Sequence, residues 1–158
     1  MEPKRFFCVN HDYLSPGMYI SRIAGTVTTF DLRFRKPNSG QYLDNMTIHS
    51  IEHMFDTYIR NDEAVGDCVL HFGPMGCQTG FHLLLDKSDA QAAYDAVIRT
   101  LNKIIEHTGS VFGATRQECG NYYNLSLSAA KQECTRYLRV LAAQEDRTLS
   151  YSEEARAL

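Results

Sequence analysis

Two histidines and one glutamate occur close together in residues 49–53, which read H-S-I-E-H. Residues four positions apart lie on one face of an α-helix, one turn apart, so His49 and His53 can reach the same metal ion. Glu52 lies close to that face, where a carboxylate can act as a general base. This H-x-x-E-H spacing therefore predicts a metal site with His49 and His53 as ligands. Two histidines without a ligand, on the surface or in the core, are the alternative interpretation.

A catalytic metal needs a third protein ligand and keeps a further position for water or substrate. Cys119 is favoured because it lies in residues 118–122, E-C-G-N-Y, a glycine-containing turn just before a predicted helix. A buried structural thiol explains the same residue equally well from spacing alone. Two imidazoles and a thiolate suit Zn(II) or Fe(II), and spacing does not choose between them. The other candidates are His11, His71, His82, His107, Cys8, Cys68, Cys77 and Cys134.

Cys77 is the second unusual thiol. It lies in a predicted loop over residues 73–80, which holds three glycines and one proline. Glycines allow the backbone to bend sharply and to approach a ligand closely, and a nearby cation favours the reactive thiolate. A cysteine that only packs beneath the turn is the alternative. Two other polar residues are ambiguous: Arg33 fits a solvated charge on the polar face of a strand, and His11 fits a structural role.

The elements that must position these residues follow from periodicity. Alternation of apolar and polar residues predicts a strand over residues 18–36, and two short apolar runs predict strands at 68–72 and 81–85. Amphipathic spacing predicts helices from Asp44 or Asn45 to about 61, from Ser88 to about 107, and over about 128–144. The last dozen residues are polar, and we expect them to be peripheral. Strands and helices do not alternate regularly, so an α+β class is expected, with a mainly antiparallel sheet against three to four helices.

Composition bounds the function. The chain has 158 residues, enough for one domain over 1–158 with its own core. Sixteen Lys and Arg against nineteen Asp and Glu give a net charge of −3, which argues against a nucleic-acid partner. No apolar run has the length of a membrane span, and no signal-peptide pattern begins the chain, so we expect a cytoplasmic protein. Five cysteines without regular spacing favour reduced thiols over a disulfide framework.

Three motifs together resemble the S-ribosylhomocysteine lyase (LuxS) family: H-S-I-E-H at 49–53, P-M-G-C-Q-T-G-F at 74–81 and E-C-G-N-Y at 118–122. Their order and separations agree with that family, as do His11 and D-L-R-F at 31–34, and the resemblance covers roughly residues 6–142. Two positions depart from it. Most members carry an acidic residue six positions before the loop cysteine and a serine two residues later, where this chain has His71 and Gly73.

The resemblance implies a small α+β homodimer with two identical sites at the subunit interface. His49, His53 and Cys119 would hold one Fe(II) per subunit, with Zn or Co as possible substitutes. Cys77 and Glu52 would carry protons, and Arg33 and His11 would contact substrate from the neighbouring subunit. The reaction would cleave S-ribosylhomocysteine into homocysteine and 4,5-dihydroxy-2,3-pentanedione, the precursor of the quorum-sensing signal autoinducer-2.

Two other functions fit parts of the pattern. An H-x-x-E-H zinc peptidase would use the glutamate to activate a metal-bound water, but it has no need of a thiol at Cys77. A non-enzymatic metal-binding module would be expected to close its site with four ligands, and only three good ligands are visible. Whether Cys77 is essential separates the lyase from both.

Overall fold

The computed structural model describes residues 9–156, so Cys8 lies outside the described part of the chain. Strands β1 (Gly17–Ala24) and β2 (Val27–Arg33) form an antiparallel hairpin. The prediction of one continuous strand over 18–36 was wrong, because the chain reverses at Gly25. That residue has φ +61°, a backbone conformation that glycine adopts without strain.

Strands β3 (Val69–Pro74) and β4 (Gly80–Asp86) complete a four-stranded antiparallel sheet in the order β1-β2-β4-β3. Gly73, Pro74 and Gly80 belong to the strands, so the loop is shorter than the predicted 73–80 and covers 75–79. Successive side chains of a strand point to opposite faces. One face carries apolar residues of the core, Phe30 and Leu83 among them. We call the opposite face, which carries Tyr19, Asp31, Arg33 and His82, the outer face.

Three long helices complete the core: α1 (Asn45–Arg60), α2 (Ala90–Glu106) and α3 (Leu127–Ala143). Helices α1 and α3 contact β3 and β1, and α2 packs against α1 and α3. All three were predicted to within about two residues at each end. Each begins after a side chain that caps its first turn, because Asp44, Asp89 and Ser126 accept hydrogen bonds from backbone N–H groups of that turn. For α2 the capping residue is Asp89 rather than the neighbouring Ser88, because Asp89 accepts from Ala92 N at 2.9 Å.

The C-terminal segment is not peripheral, contrary to the expectation from its polarity. Leu149, Tyr151 and Ala155 are buried, and Ala155 belongs to a short helix, α4 (Glu153–Arg156). The backbone N–H of Ile20 in β1 donates to the carbonyl of Leu149 at 2.7 Å, and Asn10 N donates to Ala155 O at 2.8 Å. The segment is therefore fixed against both β1 and the start of the described chain.

The fold is a single-domain α+β architecture with a four-stranded antiparallel sheet and four α-helices among residues 9–156, which confirms the predicted class. None of the helices in that range is long and apolar enough to cross a membrane.

Candidate metal centre

Helix α1 presents His49 and His53 side by side. Their ring centroids lie 4.7 Å apart with the ring planes perpendicular, the arrangement expected for two imidazoles one helical turn apart. Ile51, Met54 and Phe55 on the opposite side of the helix are fully buried in the core. The core packing therefore fixes which face of α1 carries the two histidines.

Cys119 approaches this pair from a turn that precedes α3. Its backbone N–H donates to the carbonyl of Thr115 at 3.0 Å, and the Thr115 hydroxyl donates to Glu118 at 2.6 Å, which closes the turn. The Cys119 sulfur lies 3.3 Å from His49 Nε2. One ligand atom from each of His49, His53 and Cys119 lies within 4.8 Å of the other two. The third ligand predicted from sequence is thus placed beside the first two.

The orientation of both imidazoles fits a metal. His49 Nδ1 lies 2.9 Å from the carbonyl oxygen of Asn124, and His53 Nδ1 lies 2.7 Å from that of Phe112. A carbonyl oxygen only accepts hydrogen bonds, so each Nδ1 must carry the proton. In a neutral ring with this tautomer, Nε2 carries the lone pair, which is the form in which histidine binds metals. Three such ligands also leave a coordination position open, as catalytic sites require.

Gly113 permits the close approach of the loop to His53. It has φ +64°, and a Cβ atom at this position would lie 3.2 Å from His53 Nδ1. A residue with a side chain would be strained here and would press on the imidazole. Glycine at 113 therefore allows Phe112 to bring its carbonyl to the ring.

Four of the other predicted candidates lie outside this group. His11, His71, His82 and His107 are not within ligand distance of the three residues. Glu52 is half-buried on α1 and also does not join the group. Glu52 is therefore not among the residues that the structure groups as possible metal ligands.

Cys77 lies at the exposed tip of the hairpin that joins β3 to β4. The turn is closed by two backbone hydrogen bonds of 2.9 Å, from Met75 N to Gly80 O and from Gln78 N to Met75 O. The Cys77 sulfur lies 3.0 Å from the Thr79 hydroxyl and 3.8 Å from Arg33 Nη1. The loop thus presents the thiol to solvent while a guanidinium faces it from β2.

Arg33 is not a solvated surface charge, which corrects the interpretation drawn from its strand pattern alone. It is 4% exposed, and it donates to Asp31 Oδ2 at 2.7 Å and to the Thr79 hydroxyl at 2.5 Å. Burial by itself would lower the pKa of Arg33, but the charge of Asp31 and the hydrogen bond to it raise that pKa above its usual value. The guanidinium therefore stays charged beside Cys77.

His11 and His71 are both exposed. His11 Nδ1 bonds to the carbonyl of Val9 at 2.9 Å, so within this chain it lies in a local turn. His71 extends over Gly73: a Cβ atom at residue 73 would lie 2.6 Å from His71 Nε2. The two departures from the family pattern are thus linked, because the missing side chain at 73 makes room for the imidazole at 71.

Sequence reasoning missed Asp31, Thr79 and Tyr151 as neighbours of the predicted residues. Thr79 lies two residues after Cys77, so its contact with Cys77 could have been predicted from the sequence. Asp31 lies two residues before Arg33 on the same face of the strand, so the contact between them could also have been predicted. Tyr151 donates to Asp31 from 120 residues further along the chain, and no local pattern indicates that contact.

An α+β domain with an H-x-x-E-H helix and a cysteine ligand from a distant turn defines a protein with a candidate catalytic metal centre. Residues 5–148 match the family described as S-ribosylhomocysteinase (LuxS), and the chain belongs to this family. The resemblance drawn from the three motifs is confirmed.

Relatives named S-ribosylhomocysteine lyase support the same assignment. The chain is 38% identical over 157 residues to the protein of Desulfotalea psychrophila, covering 96% of this chain and 99% of that one. It is 35% identical over 150 residues to that of Borreliella afzelii, covering 92% of this chain and 96% of that one. To the Clostridium acetobutylicum protein it is 34% identical over 158 residues, covering 97% and 100%.

Proposed function

We propose that this protein is a metal-dependent lyase that cleaves the thioether of S-ribosylhomocysteine to give homocysteine and 4,5-dihydroxy-2,3-pentanedione. One observation carries the proposal: His49, His53 and Cys119 converge, with both Nδ1 atoms held by carbonyls, in a chain of the LuxS family. Because the chain belongs to the LuxS family, the interpretation as a zinc peptidase is no longer supported.

The chemistry explains why proton carriers are needed. A thioether beside an unactivated sugar carbon does not eliminate readily. If the carbonyl moves from the first to the second and then to the third carbon, the proton on the fourth carbon becomes acidic. Its removal expels the homocysteine thiolate from the fifth carbon. The remaining enol takes up a proton at that carbon and becomes the diketone.

We propose Fe(II) as the resident metal, one per subunit, with Zn or Co able to replace it. A Lewis acid held by His49, His53 and Cys119 would polarise the sugar carbonyl and make the neighbouring C–H bonds acidic. Two imidazoles and a thiolate are ligands that such an ion accepts. The chain's own residues must then move the protons.

Cys77 and Glu52 are our proposed proton carriers. The Cys77 sulfur is exposed at a hairpin tip and lies 3.8 Å from Nη1 of the charged Arg33, and the thiolate is the form of cysteine that can accept a proton. Glu52 is half-buried, and it directly precedes His53 and follows His49 by three residues. Its carboxylate can take a proton from one carbon and return it to the next. Two carriers from different elements can serve different sides of the sugar.

We also propose that the protein is a homodimer with its sites at the interface and that Arg33 and His11 contact substrate. Because Arg33 lies beside Cys77 in the same chain, we now assign Arg33 to the subunit that carries Cys77 and only His11 to the neighbouring subunit. His11 bonds only locally within the described chain, which suits a residue that serves a second subunit. Six large apolar side chains among the described residues are exposed, and the homodimer proposal predicts that the interface covers some of them. They are Tyr13, Ile23, Tyr42, Met46, Leu70 and Tyr123. A cytoplasmic location agrees with the free thiols at Cys77 and Cys119.

The first test is turnover. Protein purified without oxygen is incubated with S-ribosylhomocysteine, and released homocysteine is followed with a thiol reagent. We expect release by the native protein, no release by Cys77→Ala, and the same metal content in both. Cys68→Ala serves as the matched control, since Cys68 is only partly exposed and lies outside both clusters. No release from fully metallated native protein would contradict the proposed substrate.

A mixing experiment tests the shared site. If His11 of one subunit completes the site that contains Cys77 of the other, a hybrid of His11→Ala and Cys77→Ala subunits has one intact site. Mixing and re-equilibrating the two inactive variants should then restore part of the turnover. Hybrids that form and remain inactive would show that both residues act within one subunit.

A further inference from the structure

The segment after α3 returns to the outer face of the sheet and places Tyr151 there. Leu149 is tied to β1 through the hydrogen bond from Ile20 N to its carbonyl. Tyr151 is 9% exposed, and its ring stacks on that of Tyr19 with centroids 4.9 Å apart and planes 24° apart. The C-terminal segment is therefore a fixed part of this face.

The hydroxyl of Tyr151 donates to Asp31 Oδ2 at 2.8 Å, and Arg33 Nη2 donates to the same oxygen at 2.7 Å. Burial raises the pKa of Tyr151 well above its usual value, and the charge of Asp31 raises it further. The hydroxyl therefore keeps its proton and acts as a donor. Asp31 itself is 2% exposed, and its Oδ1 has no partner among the described residues, so its charge is balanced at Oδ2 alone.

The same guanidinium extends to the loop that holds Cys77. Arg33 Nη1 donates to the Thr79 hydroxyl at 2.5 Å and lies 3.8 Å from the Cys77 sulfur. One buried positive charge thus lies between a carboxylate and a thiol. If the negative charge of Asp31 is neutralised by Arg33 alone, the positive charge of Arg33 has a weaker effect on the Cys77 sulfur.

The other titratable groups beside Asp31 do not replace Tyr151. Tyr19 pairs with Asp31 across the β1–β2 ladder, but its hydroxyl donates to the carbonyl of Ser15 at 3.0 Å. His82 pairs with Asp31 from β4, and burial lowers the pKa of His82, which favours the neutral ring. Among residues 9–156, the hydrogen bonds to the Asp31 carboxylate come from Arg33 and Tyr151.

We propose that Tyr151 is a positioning residue for the proton transfer assigned to Cys77, an inference that rests on the proposed function. Its hydroxyl takes up part of the negative charge of Asp31, so that Arg33 remains directed at the Cys77 sulfur. The segment after α3 thereby takes part in the site although it lies outside all three sequence motifs.

The test is the pH dependence of Cys77 alkylation. Metal-loaded, reduced protein is treated with iodoacetamide over a pH series, and the Cys77 peptide is quantified by mass spectrometry. Tyr151→Phe keeps the ring and removes the hydroxyl. We expect this substitution to raise the pH midpoint of alkylation by about half a unit, which corresponds to a roughly threefold lower alkylation rate at pH values below the midpoint. Tyr19→Phe removes the neighbouring hydroxyl and should leave the midpoint unchanged. An unchanged midpoint in Tyr151→Phe, or an equal shift in Tyr19→Phe, would overturn the proposal.

A double-mutant cycle tests the route through Asp31. In an Asp31→Asn background, Tyr151→Phe should have no further effect on the alkylation profile, because the charge that the hydroxyl balances is gone. A shift that persists there would show that Tyr151 does not act through Asp31, and the proposal would fail. Alkylation needs no substrate. Absence of lyase turnover would therefore refute the proposed function and leave the alkylation result to decide the role of Tyr151.

Discussion

Gly113→Ala is expected to weaken metal binding without touching a ligand. The new Cβ would lie 3.2 Å from His53 Nδ1 and 3.5 Å from its Cε1. To relieve this contact, the imidazole or the loop must shift by a few tenths of an ångström. Either shift changes the 2.7 Å hydrogen bond between His53 Nδ1 and the carbonyl of Phe112. That bond orients the Nε2 lone pair, so its disturbance weakens the metal site.

The expected effect of Gly113→Ala has two parts, the backbone strain and the contact with His53, and a substitution at Gly25 separates them. A left-handed backbone costs an alanine roughly 1–2 kcal/mol. Gly25 has φ +61°, close to the +64° of Gly113, but no atom lies within 4 Å of a Cβ built there. Gly25→Ala therefore carries the backbone strain alone. Only Gly113→Ala adds the contact with His53, for which we expect about a tenfold loss of metal affinity, the lower end for partners of ligating histidines.

The assay is competition for Co(II) or Zn(II) against a chromophoric chelator, without oxygen, for native protein and both variants. Urea unfolding of the loaded proteins checks that each variant is folded. We expect both variants to be destabilised, but only Gly113→Ala to release metal at lower chelator concentration. Equal metal affinities for Gly113→Ala and Gly25→Ala would refute the reasoning, because the contact with His53 would then have no consequence for the site.

Two further predictions address the acid–base groups. Glu52→Gln keeps the size of the side chain but can no longer accept a proton, so the rate of homocysteine release should fall by about 100-fold or more. The metal content, measured by elemental analysis, should stay unchanged. Near-native turnover would show that Glu52 does not carry protons in the reaction. Arg99→Gln should destabilise the protein at neutral pH, because hydrogen bonds from Arg99 hold the pKa of Asp62 below its usual value. A carboxyl group whose pKa is lower in the folded than in the unfolded protein stabilises the fold at pH values above its unfolded pKa of about 4. This stabilisation is lost as the pH falls through the pKa of the folded state. The difference in urea midpoint between native and Arg99→Gln protein should therefore shrink below about pH 4, and a constant difference would contradict the assignment.

Local periodicity predicted the elements that carry the candidate metal ligands. Helix α1 was expected from Asp44 or Asn45 to about residue 61 and is observed as Asn45–Arg60, because its apolar spacing and the Asp44 cap act over short range. The turn at Cys119 and the start of α3 were also predicted from a glycine and an apolar pattern. Each of these features is encoded within one or two turns of chain.

Long-range burial was not predictable in the same way. The alternation in β2 correctly placed Arg33 on the face opposite Phe30 and Leu32, but it could not show what covers that face. A segment more than a hundred residues later supplies Tyr151, and the loop of Cys77 supplies Thr79. The burial of Leu149, Tyr151 and Ala155 was not predicted, because the C-terminal segment around these three residues is mostly polar.

The atoms that orient both candidate histidine ligands are main-chain carbonyl oxygens, at Phe112 and Asn124. A side-chain substitution at either position leaves that acceptor in place. Apart from positions with a specific role, such as Gly113 and Cys119, the segment between α2 and α3 can therefore diverge in composition during evolution without losing the tautomer of either histidine. Its length and path are what must be inherited, since a deletion would displace the carbonyls themselves. Substitutions should accumulate here among related chains more readily than insertions or deletions.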